Sequence, residues 1–201
     1  MKIICIGRNY AEHAAELGNE VPDSPVIFMK PDTAVLKSQE FYIPEFSDDV
    51  HYELEVVLKI SKGGKYIQQE HAAKHYDQIG LGIDFTARDL QSKLKSKGLP
   101  WELAKGFDGS AVVSEFFDKQ KYDLNQLSFK LEKNSETVQD GDTSLMIFRP
   151  EEIIAFVSQY FTLRTGDLIF TGTPKGVGRV AEGDELEAFI EETKVLSLRI
   201  R

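Results

Sequence analysis

The chain of 201 residues is long enough to bury a substantial core, and its 41% hydrophobic and 28% charged residues are ordinary for a globular protein. A net charge of −9, with no Lys/Arg block to interrupt it, argues against a nucleic-acid or anionic-membrane partner. The single cysteine, Cys5, cannot form an internal disulfide, and its place in the run Ile3-Ile4-Cys5-Ile6 marks a buried strand residue rather than a nucleophile. No signal peptide or membrane span is expected, since Met1-Lys2 leads into only four apolar residues, and a cytoplasmic location follows by default.

In chain order, residues 3–6 read as a buried strand and Gly7-Arg8-Asn9-Tyr10 as the turn out of it. Asn9 is expected to cap a helix over 10–17 that ends at Gly18. That helix sets His13 and Glu16 three residues apart on one face, where a carboxylate can orient an imidazole, although an exposed i,i+3 polar pair fits as well. Short strands are expected at 26–29 and near 41–43, with a break at Lys30-Pro31 between them.

The stretch His51-Tyr52-Glu53-Leu54-Glu55 runs straight into Val56-Val57-Leu58-Lys59-Ile60 and reads as one central strand. At period two, Tyr52, Leu54, Val56, Leu58 and Ile60 share one face, and His51, Glu53 and Glu55 share the other. Residues two apart on a strand sit roughly 6.6 Å from one another, so the two carboxylates can converge on one small object. Ionised side by side they would repel, and a hard divalent cation such as Mg²⁺ would remove that conflict. A solvated strand face that happens to carry two glutamates is the alternative.

Residues 68–77 are expected to be helical, with His71 and His75 at i,i+4. The pair lacks the adjacent glutamate of a zinc-protease helix, so both read as surface histidines. The glycine-broken strand 79–83 ends in Asp84, and Thr86 with Asp89 has the spacing of a capping box opening a helix to about Ser96. Asp84 is placed either as a ligand at a strand end or as a cap. The loop 99–109 is rich in aromatics and sets Lys105 among apolar neighbours, where a buried amine could serve an anionic substrate and a surface lysine is the alternative. Residues 127–131 and 136–139 pair as a hairpin, and Arg149-Pro150-Glu151-Glu152 opens a helix whose Ile153, Ile154, Phe156, Val157, Tyr160 and Phe161 face the core.

Strand 168–170 leads into Thr171-Gly172-Thr173-Pro174-Lys175-Gly176-Val177-Gly178, which is neither a P-loop nor a dinucleotide fingerprint. Its backbone N–H groups can still hold a carboxylate, and Thr173 can donate a hydroxyl. Residues 185–190 and 195–200 close the chain as an antiparallel pair, and the lack of repeats or linkers points to one domain over 1–201.

Together, Gly7-Arg8-Asn9-Tyr10 with His13 and Glu16, Phe28 with Lys30-Pro31, His51-Tyr52-Glu53-Leu54-Glu55, Asp84-Phe85-Thr86-Ala87-Arg88-Asp89-Leu90-Gln91, Lys97-Gly98-Leu99-Pro100-Trp101 with Lys105, and Thr171-Gly172-Thr173-Pro174-Lys175-Gly176-Val177-Gly178 resemble the fumarylacetoacetate hydrolase family. The resemblance favours the branch of short single-domain acylpyruvate hydrolases over the longer members with an added amino-terminal domain. This resemblance implies an α+β, β-rich mixed-sheet roll, a homodimer, and Mg²⁺ or Mn²⁺ held by Glu53, Glu55 and Asp84. It also implies a lid within residues 1–25, where His13 would activate water and Glu16 would orient it. Lys105 would stabilise an enolate, Arg88 and Gln91 would hold substrate, and Thr173 would bind the carboxylate of a small 2-oxo acid. The implied reaction is hydrolysis of an acylpyruvate such as fumarylpyruvate or acetylpyruvate. Oxaloacetate decarboxylation and oxo-dienoate isomerisation share the same enolate chemistry, and a non-catalytic 2-oxo-acid binding module is the remaining alternative.

Overall fold

A computed structural model describes every residue of the chain except Leu17 and Asn19. The architecture is α+β and rich in sheet. Strands Val26–Lys30, Ile3–Gly7, Leu168–Phe170, Leu54–Ile60, Tyr76–Asp84 and Ala111–Val113 lie side by side in that order, and Phe117–Asp118 pairs on Tyr76–Asp84 to complete a seven-stranded sheet. Only the Ile3–Gly7 and Leu168–Phe170 pair runs parallel within it. A five-stranded sheet is built from Glu136–Asp142, Ser128–Lys133, Glu185–Ile190, Thr193–Ile200 and Glu40–Phe41, and a small third sheet joins Gly178–Arg179, Val50–Tyr52 and Thr86–Ala87.

The central strand Leu54–Ile60 is buried on both faces, which is where the site's burial comes from. Leu54, Val56, Leu58 and Ile60 pack in a core shared with Phe129, Leu131, Leu186, Ala188 and Ile190 of the five-stranded sheet and with Ile153, Ile154 and Val157 of the helix Pro150–Tyr160. Each such side chain contributes roughly 1.5–3 kcal/mol through burial. Val57 points the other way into a second cluster with Ile3, Cys5 and Phe170. Gly82 makes this close packing possible, because a Cβ there would meet the Phe170 ring at 2.5 Å and Val57 at 2.8 Å.

Several expected elements take a different form. The strand expected to run unbroken from 51 to 60 is interrupted at Glu53, with Val50–Tyr52 turning away into the third sheet. The helix expected over 68–77 covers Gln69–Ala72 and a single 3₁₀ turn Ala73–His75, after which Tyr76 already belongs to a strand. His71 is exposed as expected, but His75 is buried with Nδ1 2.8 Å from the Lys62 carbonyl. The first helix is Ala11–Glu16, and Leu17 lies outside the described residues. Asn9 does not cap it: its Nδ2 donates to the carbonyls of Phe148 and Thr171, and its Oδ1 accepts from Phe148 N at 2.7 Å. Likewise no capping box forms at Thr86, because the helix Arg88–Ser96 starts later and Asp89 turns to Ser47 at 2.7 Å. The loop 99–109 contains a short helix, Glu102–Lys105, and Tyr160 is exposed rather than core-facing. Among the described residues, no helix is long and apolar enough to cross a membrane.

Candidate metal centre and active site

The interruption at Glu53 and the strand end at Asp84 place two carboxylates side by side. The antiparallel register sets Leu54 opposite Ile83 and Glu55 opposite Gly82, and Asp84 N donates to the Glu53 carbonyl at 2.8 Å. Glu53, Glu55 and Asp84 are 5%, 2% and 0% exposed. One oxygen from each lies within 4.8 Å of the others. The solvated strand face is therefore not what this sequence builds.

Three cations surround these carboxylates. Lys105, on the short helix Glu102–Lys105, directs Nζ to Glu53 Oε2 at 2.8 Å, Asp84 Oδ2 at 2.7 Å and Thr86 Oγ1 at 2.6 Å. Arg88 donates through Nη2 to Glu53 Oε1 and through Nη1 to Gln91 Oε1 at 2.7 Å. Lys30 Nζ lies 2.7 Å from Asp84 Oδ1. An ammonium has only three protons, and the one on Lys30 also faces the carbonyls of Phe85, Lys105 and Ser110 and the Ser110 hydroxyl. Asp84 Oδ1 therefore shares the Lys30 ammonium with several other acceptors.

The two glutamates respond to these surroundings in opposite ways. Burial alone would push the Glu53 carboxyl up, but Lys105 and Arg88 beside it hold it well below the usual carboxylate range. Burial, with Asp84 and Glu53 as like charges, pushes Glu55 well above that range, against the opposing N–H of Gly172, which meets Glu55 Oε2 at 2.6 Å. Lys105 is driven down by burial, yet Asp84 and Glu53 outweigh that and raise it, so it stays charged. Three converging buried carboxylates, one of them a glutamate resisting ionisation, fit a hard divalent cation. Glu53, Glu55 and Asp84 are the residues that can hold it.

Across the cleft, the helix Ala11–Glu16 carries His13, buried, with Nδ1 3.4 Å from Glu16 Oε2. Burial lowers the His13 pKa below 6.5, against the pull of Glu53 and Glu16, so the ring is neutral at neutral pH. With Nδ1 facing Glu16, Nε2 is the nitrogen left to act as base. Glu16 also accepts from Gly176 N at 3.2 Å, and Glu12 pairs with Lys175 at 2.9 Å, so this helix is tied to the loop after Leu168–Phe170. That loop passes close to the helix start: a Cβ on Gly172, where φ is 102°, would meet Asn9 Cβ at 2.6 Å.

The sequence-predicted residues His13, Glu53, Glu55, Arg88, Gln91, Lys105 and Thr173 all line one cleft, walled also by Arg8, Lys95, Phe28 and Trp101. Asp84 lies beneath it as a bonded partner of Lys105, and Glu16 stands behind His13. His51 takes no part, its Nε2 lying 2.9 Å from Asp49. Two residues carry structural weight that sequence reading gave them no role in. One is Lys30, read as part of a strand break and of the family resemblance but given no role in the site. The other is Gln139, whose Oε1 accepts from Leu54 N at 2.8 Å while its Nε2 donates to Thr173 Oγ1 at 2.8 Å and Pro174 O at 3.0 Å. Neither has a local sequence signal.

Comparison with known proteins points the same way. The family described as fumarylacetoacetate (FAA) hydrolase C-terminal matches residues 2–201. The mitochondrial oxaloacetate tautomerase of Bos taurus is 42% identical over 201 residues, covering 99% of this chain and 90% of that protein. A mitochondrial oxaloacetate decarboxylase of Dictyostelium discoideum is 41% identical over 192 residues, covering 94% of this chain and 88% of the other. The crystal structure of fumarylpyruvate hydrolase from Pseudomonas aeruginosa in complex with Mn²⁺ and pyruvate superimposes with a TM-score of 0.94 at 36% identity, covering 100% of this chain and 89% of that one.

Proposed function

Because the chain belongs to the fumarylacetoacetate hydrolase family, we propose that it is a divalent-metal-dependent enzyme acting on a small 2-oxo acid through its enol, with keto–enol interconversion of oxaloacetate as the principal reaction. The observation that carries this reading is the placement of a neutral, carboxylate-oriented imidazole, His13, in the wall of the cleft that holds Glu53, Glu55 and Lys105. Removing a proton next to a carbonyl needs a base on one side and positive charge on the other. His13 Nε2 takes the C3 proton and delivers it to the enolate oxygen, and in the opposite direction takes the enol O–H proton and gives it to C3, while Glu16 fixes the ring and balances the imidazolium that forms. Lys105, its protons directed to Glu53, Asp84 and Thr86, holds those carboxylates in place and adds positive charge beside the developing enolate. Arg88 and Gln91 orient the substrate, and Thr173 donates to its carboxylate. A Mg²⁺ or Mn²⁺ ion at Glu53, Glu55 and Asp84 would polarise the keto oxygen and select acids with a neighbouring carboxylate.

A second reading, hydrolysis of an acylpyruvate, is favoured by the same intact His13–Glu16 pair, since that pair is also what water activation requires. Decarboxylation of oxaloacetate needs the enolate but no base, so His13 argues for it least. A homodimer with one catalytic domain per chain belongs to the same proposal. The test follows enol-oxaloacetate absorbance with Mg²⁺ present and again after chelation, with pyruvate measured in parallel. Metal-dependent loss of enol without pyruvate supports the tautomerase. Pyruvate from oxaloacetate reassigns the reaction to decarboxylation, and pyruvate from acetylpyruvate or fumarylpyruvate alone reassigns it to hydrolysis.

A further inference from the structure

Arg8 follows the strand Ile3–Gly7 and lines the cleft that contains Glu53, Glu55, His13 and Lys105. Its φ of 61° puts it in the left-handed region, which a non-glycine residue seldom adopts and which collects at ligand sites. The turn sends successive side chains to different places. Asn9 goes inward to bridge Phe148 and Thr171, and Arg8 faces the cleft. Lys105 and Arg88 are bonded to Glu53, and Lys30 is paired with Asp84. The Arg8 guanidinium, by contrast, makes no hydrogen bond or ion pair with the described residues.

Its charged surroundings are of its own sign. Lys95, on the helix Arg88–Ser96, lines the same wall with Nζ 6.0 Å from the Trp101 ring centroid. Burial, then Arg8 and Arg88 as like charges, lower the Lys95 pKa. Among the described residues, the acids lining the cleft are Glu53 and Glu55, which belong to the carboxylate cluster. An arginine that makes no ion pair, set beside a second cation, creates a positive field that an anion relieves. A 2-oxo acid held through its carboxylate and keto oxygens at the cluster extends its remaining carbons along the cleft.

We propose that Arg8 binds the distal carboxylate of a dicarboxylic 2-oxo acid, with Lys95 adding to the positive field, so that this wall makes the enzyme prefer diacids to monoacids. The inference rests on the 2-oxo-acid reading of the same site. It does not depend on which reaction follows.

The test measures binding rather than turnover. Mg²⁺-loaded protein is titrated calorimetrically with 3,3-difluoro-oxaloacetate, which has no C3 proton to lose, and with its 4-methyl ester, which lacks only the distal charge. A charge-assisted bond of this kind corresponds to about a tenfold or greater preference for the diacid. Arg8→Met should abolish that preference while leaving the Kd of the ester unchanged, and Arg8→Gly, which suits the left-handed backbone, should do the same. Arg8→Lys should keep part of it. Equal binding of diacid and ester by the wild-type protein overturns the proposal, and so does a preference that survives in both Arg8→Met and Arg8→Gly. If the preference holds and depends on Arg8 but oxaloacetate is not enolised, the tautomerase reading fails and the subsite stands.

Discussion

Gln139 Nε2 lies 2.8 Å from Thr173 Oγ1, and this contact fixes the direction in which the threonine donates. The amide cannot be reversed: Leu54 N only donates and meets Oε1, whereas the Pro174 carbonyl only accepts and meets Nε2. Thr173 Oγ1 must therefore accept from Gln139, which leaves its own proton for the cleft that it lines. A substrate oxygen is what such a donor suits.

Gln139→Glu keeps the shape and the bond to Leu54 N but puts an oxygen where Nε2 was. Thr173 then donates to the new carboxylate, and the Pro174 carbonyl loses its donor, at a cost of about 1–3 kcal/mol in stability. Steady-state kinetics should show KM for the 2-oxo acid rising about tenfold, the equivalent of 1.4 kcal/mol, with kcat little changed. Thr173→Val should give the same KM, and the double variant should add nothing further. Full additivity would show that the two residues act separately.

Lys105 ties two carboxylates together, and its removal should be felt first as instability. Lys105→Met leaves Glu53 and Asp84 buried with one cation fewer. Breaking a buried pair from one side costs about 3–5 kcal/mol. The melting temperature should drop sharply in chelator and recover in part with saturating Mg²⁺, because the ion replaces some of the missing positive charge. Turnover should stay at least about a hundredfold down even when the metal is restored. Equal destabilisation with and without Mg²⁺ would argue against a cation at these carboxylates.

How much of this was legible in the sequence differs from residue to residue. The period-two pattern puts Glu53 and Glu55 on one face but allows a solvated face as well, and Asp84 at a strand end reads equally as a cap; the family resemblance is what groups the three. Lys105 stands out as a lysine among apolar neighbours and proves to be buried. Local signals fail where a distant partner outbids the near one. Thr86 has the spacing of a helix cap, but Lys105 takes its hydroxyl. Asn9 looks like a cap, but the loop residues Phe148 and Thr171, distant in sequence, take both ends of its amide. Gln139 sits 85 positions from Leu54, and nothing in the intervening pattern records that they bond. The fold was readable because alternation specifies faces, while the interruption at Glu53 depends on a third sheet that only tertiary pairing reveals.

The imidazole of His13 must be neutral to act as a base, so activity should fall as the medium is acidified. Burial lowers its pKa, so the inflection in kcat should lie below 6.5, with the active form above it and the inactive imidazolium below. Glu16 raises that pKa through its bond and its charge. Glu16→Gln should accordingly move the inflection further down while reducing kcat, since the ring loses its orienting anion. His13→Ala should remove the inflection and leave Mg²⁺ affinity, read by calorimetry, unchanged. An inflection that persists in His13→Ala belongs to another group and would remove His13 from the role of base.

Gly176 links the helix Ala11–Glu16 to the substrate loop, and its backbone leaves no room for a side chain. Its N–H holds the Glu16 carboxylate at 3.2 Å. Its φ is 92°, and a Cβ there would stand 2.2 Å from the Val138 carbonyl oxygen. Gly176→Ala must therefore displace the loop, at a cost of about 1–3 kcal/mol, and the bond to Glu16 goes with it. The His13–Glu16 pair then loses its anchor, while Glu55 and Asp84 lie on the strands Leu54–Ile60 and Tyr76–Asp84 and Glu53 lies between two strands, all outside the loop that carries Gly176. The variant should lose at least about tenfold in kcat and keep the Mg²⁺ affinity of the wild-type protein. If Mg²⁺ binding weakens in step with kcat, the loop supports the carboxylates through the Gly172 N–H to Glu55 as much as it supports the base, and the two halves of the site are not independent.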